Sequence, residues 1–403
     1  MRVSTTQFAQ TGTNAILDQQ SRLLKTQQQL ASGRKILNPA DDPAGAARVL
    51  DLEKSVGQVE QYKRNLDRAE LALRAEESAL ESAGNVIQRI RELTVQAANA
   101  SQDGGNRKLI AAEIRQSLQQ LVELGNATDG TGEFLFSGSN TKTKPFALEG
   151  GDVTYAGDQT QRMIQAGPSR QIATNHSGFE PFIKIATRNG DFTTAPAAGN
   201  TGTGVIEGGR VLDNSVAFDG PYTLVFDGEG DDRTATVTNG AGDTVSGPES
   251  FRPGESVSFD GRSVTVNGQP DDGDSFTIEA SGFQSVFRSV SDLAEAMEGS
   301  GADESASAKA RFQNAANTAL GNLDQALDSF LTTRAEVGAR LNAVDGEREA
   351  NESSLLDLEE ARSRIEDLDY AEAISRLNLQ RVGLEAAQQS YVRIQGLSLF
   401  NFL

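Results

Sequence analysis

Two adjacent carboxylates, Asp41 and Asp42, are the first side chains whose spacing could support acid–base chemistry; they stand in the stretch ASGRKILNPADDPAGAARVL. Paired carboxylates act as acid and base when a pocket separates their pKa values, and neighbours in an exposed turn seldom meet that condition. Local chemistry favours a structural role. Pro39 ends the preceding helix, Asp42 offers an N-cap oxygen, and Pro43 fits the first helical position. We predict capping rather than catalysis.

A second acidic junction occurs near the other end of the chain, in SRIEDLDYAEA. Asp369 is followed three residues later by Glu372, which is the spacing of a capping box. Both junctions therefore join an outer helix to an inner one through acidic caps. The residues that we assign to cap and hinge roles are Asn38, Pro39, Asp41, Asp42, Pro43, Asp367 and Asp369.

The remaining candidates for chemistry are few. His176 is the only histidine and lies in a Gly/Asn-rich loop without a second metal ligand at a suitable spacing, so we expect a surface histidine. The acidic loop that starts at Asp227 resembles an EF-hand, but Asp232 and Thr238 stand where Gly and Glu are needed. GTGVIEGG has Glu207 in place of the third glycine of a dinucleotide fingerprint. We expect no catalytic residue, no cofactor and no metal.

Composition excludes further classes. The 403 residues contain no cysteine, which rules out thiolate zinc sites, disulfides and Cys/His nucleophile pairs. A net charge of -20 argues against nucleic acid as a partner, because phosphate binding needs clustered Lys and Arg. We find no apolar run long enough to insert in a membrane and no cleaved signal peptide, which fits either the cytosol or export by a route without a cleaved signal.

Heptad repeats at both ends of the chain predict long helices that supercoil about partners. Glu76 is a polar exception in the row that accompanies the longest repeat. We expect helices from about 47 to 98 and from about 305 to 366. The main apolar rows are Leu52, Val59, Leu66, Leu73, Leu80 and Ile87 in the first half, and Ala316, Leu323, Phe330, Val337 and Val344 in the second.

The middle of the chain, residues 149–280, differs in kind. It contains 21 of the 40 glycines and only two leucines, and its 20 acidic against 8 basic residues give a charge of -12. Short alternating runs such as YTLVF, RTATV, SVSF, SVTV and SFTIEA are bounded by pairs such as Asn239–Gly240 and Asp260–Gly261, which is typical of hairpins. We predict an inserted, solvated antiparallel β domain.

The order of these segments predicts a mainly α fold with an inserted β domain: an elongated rod of antiparallel coiled-coil helices plus a Gly-rich antiparallel β domain. Helical arms that precede and follow an insertion must run out to it and back, so they lie side by side. The expected parts are a terminal coiled-coil domain of residues 1–42 and 370–403, a helical rod of 43–148 and 283–369, and a β domain of 149–282.

The outer helices carry more apolar surface than a single pair of helices can cover. A lone pair this short is marginal, and an exposed apolar stripe normally marks a partner. We therefore expect the ends to become ordered mainly on assembly with copies of the chain or with neighbouring proteins. The predicted assembly interface consists of Ile16, Leu23, Leu30, Leu37, Leu377, Leu384, Tyr391 and Ile394.

Both helical arms resemble the flagellin superfamily. LASGRKILNPADDPAGAARVL, DGTGEFLFSGSNTKTKPF, ARSRIEDLDYAEAISRLNLQ and SYVRIQGLSLFNFL carry the likeness, which covers about residues 1–148 and 283–403. It implies a secreted structural protein of the extracellular flagellum, exported unfolded by the flagellar type III apparatus and assembled as a ring at the hook-filament junction. The implied partners are copies of itself, a neighbouring hook-associated junction protein, flagellin and an export chaperone. The chaperone contact would be Leu397, Leu399, Phe400, Phe402 and Leu403.

Two alternatives remain open at this stage. The filament subunit, flagellin, shares both arms, although DDPAGAAR and the ending IQGLSLFNFL favour a junction subunit. A secreted coiled-coil adhesin or effector, whose β domain would bind a ligand, belongs to a different class of function. An enzyme ranks below both, because nucleophile, metal and cofactor motifs are missing.

Overall fold

The computed structural model describes residues 5–99, 101–150, 152–300 and 305–400. The helices in these ranges are α1 (Thr5–Ser32), α2 (Pro43–Ala98), α3 (Gly104–Gly125), α4 (Val286–Gly299), α5 (Ala306–Glu366) and α6 (Tyr370–Phe400). The chain forms two compact units, residues 65–345 and residues 1–64 with 346–403, and α2 and α5 each contribute to both. The mainly α class with an inserted antiparallel β domain is confirmed.

The heptad rows form the core of the 65–345 unit. Leu66, Leu73 and Leu80 are fully buried, and Phe330 and Val337 from α5 are buried as well. The predicted helix ends agree with α2 and α5 to within a few residues. Gly346 does not interrupt α5, which is continuous to Glu366. A single glycine costs only about 1 kcal/mol in a helix, which a helix of 61 residues tolerates.

Fifteen strands occur in the described ranges. They are β1 (Phe146–Glu149), β2 (Asp152–Tyr155), β3 (Met163–Gln165), β4 (Gln171–Ala173), β5 (Ile185–Ala186), β6 (Phe192–Pro196), β7 (Val205–Ile206), β8 (Arg210–Val211), β9 (Tyr222–Asp227), β10 (Thr234–Asn239), β11 (Thr244–Ser250), β12 (Ser256–Phe259), β13 (Arg262–Asn267), β14 (Ser275–Ala280) and β15 (Phe283–Gln284). All the pairings are antiparallel.

Two sheets share a core of their own. One sheet has the order β11-β10-β9-β14-β6 and the other has the order β12-β13-β7, with β8 also paired to β13. Phe192, Leu224, Phe226 and Phe276 are buried among them. The predicted runs match β9, β10, β12, β13 and β14, and Asp260 and Gly261 have φ values of 39° and 68° in the β12–β13 turn. The hairpin predictions are therefore confirmed.

Residues 146–186 belong to the helical core rather than to these two sheets. Phe146, Phe182 and Ile185 are buried in one cluster with α2, α3, α4 and α5, and Phe182 stacks on Phe287 with ring centroids 5.7 Å apart. Ile172 packs in a second cluster with Leu66 and other helical residues. The first part of the inserted segment thus closes the helical core, and the later part forms the sheets.

In the unit of residues 1–64 and 346–403, α1 lies antiparallel to α6. A Cβ on Gly12 would sit 2.9 Å from the Tyr391 ring, and Gln19 Nε2 donates to the Gln380 carbonyl at 3.2 Å. At the other end of the pair, the Leu368 N–H donates to the Gly33 carbonyl at 2.9 Å. The pairing that joins the two ends of the chain is therefore direct.

The end of α1 differs from the prediction. The helix stops at Ser32, six residues before Asn38, so Leu37 lies in the connecting loop and not on a helical heptad row. Gly33 has a φ of 73°, the left-handed conformation that closes many helices. The Lys35 N–H then donates to the Glu366 carbonyl at 2.7 Å. Contacts with the other end of the chain, rather than Pro39, fix this boundary.

Candidate assembly surface

The Asp41–Asp42 pair forms two different caps. Asp42 Oδ1 accepts the Gly45 N–H at 2.9 Å, with Pro43 as the first residue of α2, as the N-cap prediction requires. Asp41 Oδ1 accepts a hydrogen bond from Lys25 Nζ at 2.6 Å, and its Oδ2 accepts the N–H groups of residues 37 and 38 at 3.2 Å. The bond from Lys25 is the main cause that lowers the pKa of Asp41. Each of the two carboxylates therefore accepts hydrogen bonds that stabilise the junction between α1 and α2.

The second junction has half of a capping box. Asp369 Oδ1 accepts the N–H groups of Ala371 at 2.9 Å and Glu372 at 3.1 Å at the start of α6. The Glu372 carboxylate does not complete the box, because it accepts a hydrogen bond from Arg376 at 2.6 Å instead. Asp367 Oδ2 accepts the Ser363 hydroxyl at the end of α5. Capping is present at both junctions, and a hinge motion stays a prediction.

The predicted assembly residues that the structure describes lie on α1 and α6, except for Leu37, which lies in the loop after α1. Each is half-buried, and Thr13 Oγ1 donates to the Tyr391 hydroxyl at 3.1 Å across the pair. The set is Ile16, Leu23, Leu30, Leu37, Leu377, Leu384 and Tyr391. Tyr391 therefore contacts α1 within one chain, and the role of the whole set in assembly stays a prediction.

The same unit exposes many other apolar side chains. Nine large apolar residues of its described part have at least half of their surface exposed: Leu17, Leu24, Leu50, Leu356, Tyr370, Ile374, Leu379, Val382 and Val392. Only four apolar residues of its described part are buried: Val56, Val59, Leu368 and Ala373. The heptad spacing did not predict which apolar residues are exposed. Some of them directly follow a heptad position in the sequence, as Leu17 follows Ile16, and this adjacency could have indicated them.

The predicted chaperone contact lies outside what the structure describes. This holds for the side chains of Leu397, Leu399 and Phe400 and for the residues Phe402 and Leu403. The side chain of Ile394, from the predicted assembly interface, lies outside the described side chains as well.

The expectation of a surface histidine is wrong. His176 is 5 % exposed, its Nδ1 lies 2.7 Å from Glu76 Oε1, and its Nε2 lies 3.0 Å from Glu336 Oε2. The backbone N–H of His176 also donates to Glu76 Oε1 at 3.0 Å. Glu76, the polar exception in the heptad pattern, is fully buried, and its Oε2 has no partner in the described part of the chain. The polar residue in the heptad row, Glu76, and the buried histidine, His176, are therefore partners in one buried contact between the inserted segment and the helices.

The acidic loop that resembles an EF-hand closes on its own backbone and on a neighbouring turn. The loop after Asp227 contains a short 3-10 turn, Gly230–Asp232, and the Gly228 N–H donates to Asp272 Oδ1 at 2.8 Å. Within the described ranges, no group of three or more His, Asp or Glu side chains is placed to hold a metal ion. No helix of those ranges combines the length and apolar composition needed to cross a bilayer.

Comparison with known families agrees with the positions of the two helical arms. Residues 3–141 match the bacterial flagellin N-terminal helical region, and residues 320–403 match the bacterial flagellin C-terminal helical region. Flagellar hook-associated protein 3 of Escherichia coli (strain K12) is 24 % identical over 400 residues, which is 99 % of either chain. The likeness therefore extends through the inserted segment.

Solved structures give the same result. The chain covers 98 % of flagellar hook-associated protein-3 from Legionella pneumophila, with 29 % identity, a TM-score of 0.74 and 78 % of its own length aligned. For FlgL from Xanthomonas campestris, the identity is 30 %, the TM-score is 0.71, and the aligned parts are 99 % of that chain and 77 % of this one. On this identity and coverage, the chain belongs to the FlgL family of flagellar hook-associated proteins, within the flagellin superfamily.

Proposed function

We propose that this protein joins the hook to the filament of the bacterial flagellum by assembling into a ring through its terminal helices. Membership of its family makes it a structural protein of the flagellum. The observation that carries the proposal is the imbalance in the described part of the unit of residues 1–64 and 346–403, where nine large apolar residues are exposed and four apolar residues are buried.

The exposed surface is large enough to stabilise an assembly. Full burial of a large apolar side chain contributes about 1.5–3 kcal/mol. Nine half-exposed residues therefore hold on the order of 10 kcal/mol, which is comparable to the free-energy cost of association. The described part of the 65–345 unit contains all three buried apolar clusters and does not depend on such partners. We infer that the terminal helices gain most of their burial on assembly.

The proposed partners follow from this role. They are further copies of the chain, a neighbouring hook-associated junction protein and flagellin, all of which would contact the terminal helices. An export chaperone would bind the C-terminal segment that contains Leu397, Leu399, Phe400, Phe402 and Leu403. We propose that the chain is exported by the flagellar type III apparatus and resides outside the cell at the hook-filament junction.

We propose three structural parts. Residues 1–42 and 370–403 form the terminal coiled-coil domain through which the chains assemble, and residues 43–148 and 283–369 form the helical rod. Residues 149–282 form a β domain that faces outward. The acidity of the last segment, -12 of the total charge of -20, supports contact with solvent. Its role is structural rather than enzymatic in this proposal.

Gene deletion combined with complementation tests the proposal. Deletion should leave finished hooks and release unpolymerised flagellin into the medium, and the wild-type gene should restore filaments. Complementation with Leu379→Gln/Val382→Gln should fail at assembly although the protein is exported. The matched control is Leu109→Gln/Leu212→Gln, which changes two equally exposed apolar residues of the 65–345 unit. Filaments of normal length in the deletion strain would refute the junction role.

Flagellin is the second candidate, because models of the flagellin helical regions match both arms. Purified filament subunits seeded on filament ends should elongate into long filaments, whereas a junction subunit should stop after a short layer. Continuous elongation would favour this second candidate.

A further inference from the structure

A buried cation without a counter-ion lies between the inserted segment and α5. Arg188 is 3 % exposed, its Nη2 donates to the Thr194 carbonyl at 3.1 Å and also to the Thr194 hydroxyl, and its Nε has no acceptor in the described part of the chain. Burial is the only cause that shifts its pKa, so no carboxylate of the described residues acts as its counter-ion. Burial lowers the pKa of Arg188 to about 10, so the guanidinium is still charged at neutral pH. A buried charge of this kind is costly unless it is paired.

The backbone holds this side chain in place. Arg188 has a φ of 56°, a left-handed conformation that is uncommon for a non-glycine residue. Its N–H donates to Oδ1 of Asn322, a buried residue of α5, at 2.8 Å. A Cβ on Gly321 would lie 3.3 Å from the Arg188 Cα, so α5 packs directly on this turn. The guanidinium is therefore positioned before any ligand arrives.

Arg188 lines an open cavity of about 560 Å³ within the 65–345 unit. A Cβ on Gly208 would lie 3.8 Å from Arg188 Nη1 and within 4 Å of no other described atom outside its chain neighbours, so this glycine leaves space beside the free nitrogen. Asn317 and Gln325 of α5 also line the cavity, and their amide groups have no hydrogen bond among the described residues. A cation and two amides that can donate thus face one space.

We propose that this cavity binds a carboxylate group, with Arg188 as its main partner. Arg188 Nη1 can donate to one oxygen of a carboxylate, and amide N–H groups can supply further bonds. Glu207 and Asp324 on the rim make a dianion unfavourable, so a singly charged carboxylate fits better than phosphate. The carboxylate comes from a free small acid or from an acidic side chain of a second copy. The inference is independent of the proposed junction role.

Titration of the full-length protein with acetate tests the site. Arginine Nε–H signals are followed by NMR up to about 100 mM sodium acetate, against sodium chloride at equal ionic strength. We expect one signal, identified by its loss in Arg188→Lys, to shift saturably with a Kd of about 1–10 mM, a strength suited to so small a ligand. Inorganic phosphate should bind at least about threefold more weakly, because of the acidic rim.

A pair of glycine variants makes the test specific. Gly208→Ala fills the space beside Nη1 and should weaken acetate binding about tenfold, roughly 1.4 kcal/mol. Gly199→Ala, in the same segment but with open space around its Cβ, should bind acetate as the wild type does. The absence of a saturable shift, or equal binding by Gly208→Ala and the wild type, would overturn the proposal even if Arg188→Lys fails to fold.

Sedimentation velocity distinguishes the two sources. Self-association that acetate weakens, and that Gly208→Ala also weakens, would assign the carboxylate to a second copy. Acetate binding without any effect on self-association would assign it to a free acid. Both results support the site, since each requires a carboxylate in the cavity.

Discussion

Removal of the His176 imidazole should leave the buried carboxylate of Glu76 without one of its hydrogen-bond partners. Glu76 is fully buried, and its Oε1 accepts the His176 N–H at 3.0 Å and lies 2.7 Å from the ring Nδ1. In His176→Ala the carboxylate would keep only the backbone bond. A buried hydrogen-bond acceptor that loses one of its partners costs about 1–3 kcal/mol, and more if it is charged.

The surroundings decide where in that range the loss should fall. Arg340 is the other nearby cation, and it donates to the Asn175 carbonyl at 2.9 Å. Burial lowers the pKa of Arg340, and the charges of Glu76 and Glu336 oppose that shift, so Arg340 remains as a partial counter-charge. We expect His176→Ala to cost about 3 kcal/mol and not more, because Arg340 still compensates part of the charge of Glu76.

Hydrogen–deuterium exchange measures this cost locally, which avoids treating a chain of two units as a two-state folder. In His176→Ala, the amide exchange rates of peptides that span residues 70–80 and 171–180 should rise about 100-fold. Glu336→Gln is the matched control, because Glu336 is largely exposed and its pair should contribute at most about 1 kcal/mol.

The double variant Glu76→Leu/His176→Ala completes the test. Leucine restores an apolar residue at the heptad position, so the double variant should recover most of the lost stability. A cost below about 1 kcal/mol for His176→Ala, or a double variant no more stable than the single one, would refute the reasoning.

Two further predictions concern the caps and the acid range. Asp42→Ala should cost about 1 kcal/mol through loss of the Gly45 N–H bond, measured by urea unfolding, and Asp51→Ala within α2 is the control; equal effects would contradict the cap assignment. Hydrogen bonds from Ser139 and Thr160 hold the pKa of Asp158 well below its usual value, so its contribution is present above the unfolded-state pKa and is lost as the pH falls. The urea midpoint of Asp158→Asn should therefore lie below that of the wild type near pH 6 and approach it near pH 2, whereas a difference independent of pH would contradict this.

Sequence periodicity predicted the parts of the fold that local patterns specify. Rows such as Leu66, Leu73 and Leu80 are buried because a seven-residue repeat keeps one face of a helix toward its neighbours. The turn at Asp260–Gly261 was predictable because few residues adopt its positive φ values. The Asp42 cap followed from the proline beside it.

The predictions that were wrong concern features that depend on contacts between distant parts of the chain. The end of α1 depends on backbone bonds to residues 366 and 368, which no local pattern contains. His176 is buried because Glu76, 100 residues earlier, stands where the heptad row needs an apolar side chain. Glu76 interrupts a regular apolar row, and a buried carboxylate needs a polar partner. This could have indicated that His176, the single histidine, is buried against it.

The pairing of α1 with α6 has a consequence for the order of folding. Thr13 and Tyr391 are separated by 378 positions, so closing that loop in an unfolded chain is entropically unfavourable. Leu66 and Val344 lie in one buried cluster, so folding of the 65–345 unit brings the two flanking segments together first. The remaining loop is about four times shorter, which lowers the closure cost by about 1.2 kcal/mol. The middle of the chain thus acts as a template, and the two ends pair last.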